Sequence, residues 1–375
     1  MNWIDDIPVC PSTGIGTVTN ERIAPDGISS CHEHEYDDCS FRLHYGNGSY
    51  LYGVFDGHDG KRAAVFASQR FPAEILLEQR ISRGISSCDV VNVLVDAFNS
   101  VERGFFESIS DLLTERIELL QSLPTTMNDY EVFKKYPKKV ERLQQLQELI
   151  SGGAAAVIAL IHEDNLYVAS VGDARALLCY RTEGSDFEVQ QLSIDHTVSN
   201  KDEASRLRSL GIDINRLTSS GVLGSHNNTR TIGDYYLKGG YKESDILSVS
   251  LSEPITAKPD IRGGYPINYD SWHFLVLMSS GIYKVLEAHS NITDPNIYIA
   301  KLIWSKLERG KDINDVSQQV VNEICRTHRA CFNDQRSNCW YHEDMTLLVR
   351  SFGHSKIKRQ SQLLVGQTYK TDLMH

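Results

Sequence analysis

Apolar and polar positions fall in blocks along this chain, and the period of the pattern changes from block to block. YLYGVF (50–55) is a run of strand length, and DGHDG ends it. Residues 61–80 read as a helix. From 88 to 122, Val91, Leu94, Val95, Phe98, Val101, Phe105, Ile109 and Leu112 recur at helical spacing. They predict one long amphipathic helix with that side in the core. Val140, Leu143, Leu146, Leu149 and Ile150 predict a second long helix over the charged stretch 130–150, antiparallel to the first. AAAVIALIHEDNLYVASVGDARALLCYR (154–181) consists of short apolar runs cut by polar turns at Glu163-Asp164-Asn165 and Gly172-Asp173, the pattern of an antiparallel meander. Residues 201–211 read as a short helix and WHFLVLMSS (272–280) as a buried strand. Helices follow over 294–308 and 312–331, and MTLLVRS (345–351) is a last strand. Residues 1–30, with Pro8, Pro11, Pro25 and several Gly, read as irregular. No internal repeat is evident.

Strands toward both ends with paired long helices between them predict an α/β (α+β) fold. The expected form is a four-layer α-β-β-α sandwich, two antiparallel sheets flanked by helix pairs. The expected organisation is one domain over 1–353 and a polar tail over 354–375.

Composition narrows the reading in three ways. The chain has 375 residues, 41% hydrophobic and 23% charged, enough to bury a core without disulfides or structural metal. Its net charge of −11 disfavours nonspecific binding to nucleic acid or to anionic membranes. No apolar run reaches the roughly 18 residues that span a bilayer, and MNWIDDIPVCPSTG lacks an apolar signal core. These features predict a cytoplasmic protein without membrane insertion, whose eight Cys are reduced thiols. Cys325, His328, Cys331, Cys339 and His342 cluster in sequence, but their spacing fits no familiar structural zinc pattern.

Six segments in order carry a resemblance. They are LYGVFDGHDG, SGGAAAVIALIHEDNLYVASVGDARALL, IDHTVSNKDEASRLRSLG, TRTIGDYYLK, FLVLMSSGIYKVL and HEDMTLLVR. Across roughly 15–350 the chain resembles the PPM-type metal-dependent Ser/Thr phosphatases. That family hydrolyses phosphoserine and phosphothreonine with two Mg²⁺ or Mn²⁺ ions, which share and activate a water. Hard ions of this kind need several carboxylate and carbonyl oxygens at fixed positions. A family arginine clamps the phosphate, because a guanidinium fork matches two of its oxygens.

The resemblance places Asp56 at the bridging aspartate, Gly57 at the carbonyl ligand and His58 at the histidine that follows, a candidate general acid. Asp37 and Asp38 stand for the acidic pair before the first strand, Glu343 for the terminal aspartate ligand, and Asp173 in the Gly-Asp-x-Arg turn with Arg175. Other positions depart from the pattern. The phosphate-clamping arginine falls on Glu33. The aspartate of the Asp-Gly ligand pair falls on Ser280, a further acidic residue on Lys284, and a small threonine on Ala154. A unit charge pair at about 4 Å is worth roughly 4 kcal/mol at an effective dielectric of 20, and a tenfold rate costs about 1.4 kcal/mol. Each reversal therefore weighs orders of magnitude on turnover.

Within the family the chain most resembles the pseudophosphatase adaptors that bind the TGF-β-activated kinase. The subgroup implies no catalytic residue and no required cofactor, with at most one weakly held Mg²⁺ or Mn²⁺ near Asp56, Glu343 and Asp37/Asp38. His58 and Asp173 are then vestigial. It also implies a kinase partner and a further link to inhibitor-of-apoptosis proteins. In those adaptors the kinase is contacted by an aromatic-rich helical segment beyond the phosphatase-like domain, and the sequence to His375 shows no such segment. Asp56, Gly57 and His58 sustain the alternative, an active Mg/Mn-dependent phosphatase with altered ligands.

Overall fold

Alternate residues of the run at 153–162 point into two different cores, and the architecture follows from that division. The computed structural model describes residues 7–352, apart from 25–29, 47, 77–80, 82–83, 183, 225–226, 290 and 334–339. The chain opens with β1 (Thr13–Val18), β2 (Glu21–Ile23), β3 (Ser30–Cys31), β4 (Cys39–His44) and β5 (Tyr50–His58). The helices α1 (Arg62–Leu76), α2 (Ser87–Ser108), α3 (Ser110–Gln121), α4 (Asp129–Lys135) and α5 (Pro137–Ile150) follow. Next come β6 (Gly153–His162), β7 (Asn165–Val171), β8 (Arg175–Thr182) and β9 (Ser185–Gln191), then α6 (Lys201–Ser209) and α7 (Ile214–Ser220). The last part holds β10 (Ile232–Gly233), β11 (Asp260–Pro266), β12 (Trp272–Met278), α8 (Ser280–Glu287), α9 (Pro295–Leu307), α10 (Ile313–Asn333), β13 (Tyr341–His342) and β14 (Met345–Ser351).

One antiparallel sheet runs β11-β7-β6-β5-β4, with β10 added on β6. A second runs β1-β14-β12-β8-β9. Val157, Ala159 and Ile161 of β6 share a cluster with Leu178, Leu275, Leu277 and Leu348 of the second sheet, so the two sheets face each other. Ala156, Ile158 and Leu160 point the other way, onto Phe71 of α1 and Leu94, Phe98 and Phe105 of α2. On the far side, Val276, Leu347 and Val349 pack on Ile282 of α8, Ile303 of α9 and Val320 of α10. The large buried area of these clusters is the main stabilising term, at roughly 25 cal/mol per Å² of apolar surface.

Four expectations from the pattern need correction. The stretch 88–122 is two helices, because Ile109 leaves helical geometry (φ −107°, ψ 3°) and turns its side chain into the core. The stretch 130–150 is also two, since Pro137 cannot continue a helix through Tyr136 and instead starts α5. The meander splits: β6 and β7 pair in the first sheet, but the chain crosses at Gly172-Asp173 and β8 pairs with β12 and β9 in the second. Residues 1–30 are not all irregular, since β1 pairs with β14 along its whole length. Its glycines are required by close approach. A Cβ on Gly14 would stand 2.1 Å from the carbonyl oxygen of Ile313, and one on Gly16 would stand 2.4 Å from that of Ser317. The tail at 354–375 lies outside the described residues, as do Cys339 and the side chain of Cys331.

Candidate functional site

The two sheets bring the ends of β5, β8, β12 and β14 to one rim. Asp56, near the end of β5, is buried and pairs across the sheet with Ala155, while Gly57 pairs with Ala154. Beyond β12, Ser279 caps α8, and the N–H of Ser280 donates to Asp56 Oδ2 at 2.6 Å. This unpaired first-turn amide is a natural partner for a carboxylate. Ser280 and Lys284 are one helical turn apart and so share a face of α8. Lys284 reaches back into the same place, with its Nζ 2.8 Å from Asp173 Oδ2. Asn228 Nδ2 donates to the other oxygen of Asp173 at 3.0 Å, and Tyr283 donates to its backbone carbonyl.

Asp37 and Asp38 enter from the loop before β4. A Cβ on Gly57 would lie 2.3 Å from the Asp37 carbonyl oxygen, so only glycine lets this loop close on β5. Asp38 Oδ2 accepts from Thr346 Oγ1 at 2.7 Å. Burial first, and then the charge of Asp56, push Asp38 well above the usual carboxylate range. Burial and then Asp173 also raise Asp56, while Lys284 and the Ser280 amide act in the opposite sense. Burial raises Asp37. For Lys284, burial favours the neutral amine, but Asp173 and Asp56 outweigh it and hold the ammonium above its ordinary value.

Glu343 lines the cleft outside this nest, where it accepts from the Tyr341 hydroxyl at 2.9 Å. The inward carboxylate on this segment is its neighbour, Asp344. It accepts from Asn20 N at 2.6 Å and from Asp37 N at 2.7 Å, tying the start of the chain to its last strand. Sequence reasoning passed over Asp344. The adjacent acids Glu343 and Asp344 at a strand entry marked the pair, but not which of the two turns inward.

His58 ends β5 with Nε2 3.0 Å from both oxygens of Asp234. Burial alone would lower its pKa, but the Asp234 carboxylate reverses this and brings it to about 9. Asp234 holds a left-handed backbone (φ +57°), a conformation that short polar side chains tolerate. Its loop is clasped from behind. Glu102 of α2 accepts from Gly233 N at 2.8 Å and pairs with Lys238, whose Nζ also donates to the Thr231 carbonyl at 2.7 Å. Neither Glu102 nor Lys238 was singled out from the sequence. Arg175 leaves the nest altogether, pairing with Asp195 and Glu287 over the Tyr283 ring.

A cleft of about 930 Å³ opens over this rim. Six carboxylates, Glu33, Glu35, Asp37, Asp59, Glu148 and Glu343, line it together with Arg22, Lys61, His34 and His58. Glu33 does not present a bare charge there, as the sequence alone suggested, because Arg22 pairs with it. The other cations are held in the same way, Lys61 by Glu35, His34 by Asp37 and His58 by Asp234.

The nest can be tested against the ion pair that the resemblance implies. Among the described residues no group of three or more His, Cys, Asp or Glu side chains is placed to hold a metal ion. An ammonium stands against Asp173, and Ser280 supplies an amide where a further anion is needed. Two divalent ions require more oxygen ligands than this arrangement brings together, so the donor set does not fit the pair. His328 and His342 meet edge to face at 5.3 Å rather than converging on an ion.

Comparison with known proteins is consistent with the fold. The family model for protein phosphatase 2C matches residues 28–330. The TGF-beta-activated kinase 1 and MAP3K7-binding protein 1 of Caenorhabditis elegans is 25% identical over 351 residues, covering 92% of this chain and 82% of that protein. Protein phosphatase 2C 1 of Paramecium tetraurelia is 26% identical over 287 residues, covering 76% and 80%. Among solved structures, a serine-threonine phosphatase 2C from Toxoplasma gondii superposes with a TM-score of 0.55 at 12% identity, covering 90% of this chain and 93% of that one, a likeness of fold alone. No helix among the described residues is long and apolar enough to cross a membrane. With more than half of the chain matched by one family model and the same fold in a solved member, the chain belongs to the protein phosphatase 2C family.

Proposed function

We propose that this chain is a phosphatase-fold adaptor without phosphatase turnover, which binds and regulates a protein kinase of the TGF-β-activated type. One observation carries the first half. In the cleft where a phosphoester would dock, six carboxylates face cations that are each already engaged by an acid. A phosphate dianion brought there meets net repulsion, with no free guanidinium fork among the described lining residues to receive it. The second half rests on the worm relative, whose name describes a kinase-binding protein and whose similarity extends over nearly the whole chain. Asp56, Gly57 and His58 support the second reading, an active Mg/Mn-dependent phosphatase.

Two measurements decide between them. A Mn²⁺ titration with p-nitrophenyl phosphate is expected to give no turnover above buffer. Turnover comparable with an active family member, abolished by Asp56→Ala, rules the adaptor reading out. Purified TGF-β-activated kinase is expected to bind the immobilised chain and to change its autophosphorylation rate; absence of both removes the kinase assignment.

A further inference from the structure

Three buried carboxylates, Asp38, Asp56 and Asp173, gather at this rim, where Asp56 takes the Ser280 amide and Asp173 the Lys284 ammonium. Asp38 Oδ1 has no hydrogen-bond partner among the described residues. Buried anions at this density need a cation among them. The structure supplies one from within the chain. Lys284 lies one turn along α8 from Ser280, whose amide is bonded to Asp56, so the position of its stem is fixed by the same helix that grips the nest.

We propose that Lys284 is a tethered cation standing in for a divalent ion, and that exchanging it and Ser280 for carboxylates turns the nest into a site for one Mn²⁺. The inference deepens the reading of the cleft as non-catalytic, but its test does not use turnover. A single positive charge at 2.8 Å from Asp173 satisfies the electrostatic need without the six or more oxygen ligands of a hard ion. It also closes the nest to such an ion by like-charge repulsion. The Lys284 side chain keeps 32% of its surface exposed, which leaves an aqueous path by which an ion could take its place. The chain is therefore built to fold to the same rim whether divalent ions are abundant or absent.

The test uses the full chain and Mn²⁺ alone, read by the loss of the free-Mn²⁺ paramagnetic resonance signal and by thermal melting in Mn²⁺ against EDTA. Wild type is expected to take up no Mn²⁺ at the nest and to melt at the same temperature in both. The Ser280→Asp/Lys284→Asp double variant, which adds two carboxylates on the same helix face, is expected to take up one Mn²⁺, with a rise in melting temperature on the order of 5 °C at saturation. Lys284→Ala, which opens the nest but adds no ligand, is expected to take up Mn²⁺ more weakly. Either variant folding only with Mn²⁺ present also supports the proposal. Wild-type Mn²⁺ uptake that Asp56→Asn abolishes overturns it. So do folded variants indifferent to Mn²⁺, and variants that stay unfolded even in Mn²⁺, since an ion able to replace the ammonium should rescue them.

Discussion

Two lysines hold buried acids on either side of the same rim, and they do so for different structural ends. Lys238 is fully buried and pairs with Glu102, and the pair spends its remaining bonds on backbone, the Thr231 carbonyl and the Gly233 amide. Charge is balanced one to one, and the product is a fixed loop carrying Asp234 and, through it, His58. Lys284 pairs with Asp173 and also feels the charges of Asp56 and Glu343. There the acids outnumber the cation. The difference teaches how to tell a structural ion pair from a filled ligand site: the first is balanced one to one, the second is set among surplus anions.

The comparison can be broken most sharply at Lys238. Lys238→Met is expected to cost about 3–5 kcal/mol, because it leaves Glu102 buried without its partner. Urea denaturation should show this loss equally in Mn²⁺ and in EDTA; recovery in Mn²⁺ would erase the distinction between the two lysines. Next in size is the pH dependence on the clasped side. His58 has its pKa raised from 6.5 to about 9, a difference worth roughly 3 kcal/mol. A raised folded value means the contribution is whole below about pH 6.5 and is lost as pH climbs through about 9. The stability gap between wild type and Asp234→Asn should therefore narrow by roughly 3 kcal/mol between pH 6 and pH 10, measured by urea melts at each pH. A gap that widens with pH contradicts the assignment.

A smaller effect sharpens the filled-site side. Asp173→Asn and Lys284→Met touch the same ion pair, so the double variant should be more stable than the sum of the singles by about 0.5–3 kcal/mol in a double-mutant cycle. Additivity would mean that the pair contributes no coupling. Smallest is the cleft mouth, where Arg22 and Glu33 are both partly exposed. Glu33→Gln should change stability by less than about 1 kcal/mol, by the same denaturation measurement, because solvent screens such pairs.

Much of this was legible in the sequence where one side chain type dominates a run. The strands β5, β6, β12 and β14 announced themselves as apolar stretches bounded by turn residues. β1 did not, because the two glycines that let α10 lie against it are also the residues that make a segment look like loop. The helix breaks at Ile109 and Tyr136 were hidden for opposite reasons: Ile109 keeps the apolar period while abandoning the backbone geometry, and Pro137 was read as part of a longer helix that it in fact begins. In the site, motif order singled out Ser280 and Lys284, but reading 272–280 as strand hid the helix α8 that puts both on one face. Motif order brought Asp37, Asp38, Asp56 and Asp173 into view, and the structure gathers them. What could not be read were partners far away in sequence. Arg22 beside Glu33 is a loop-to-strand contact, and Glu102 beneath Gly233 depends on how α2 lies across the sheet. Asp344 was overshadowed by Glu343, since a single chain does not say which of two adjacent acids turns inward.

The pairing of β1 with β14 sets Thr13 opposite Arg350. A ribosome releasing this chain in order must therefore expose nearly all of it before the second sheet can gain its edge, or before Asp344 can reach Asn20 and Asp37. Such distant closure is entropically slow and leaves β12 with an open edge in the meantime. The rim thus cannot close until β14 has been made, and a growing chain stalled short of residue 345 carries an open sheet edge for other strands to find.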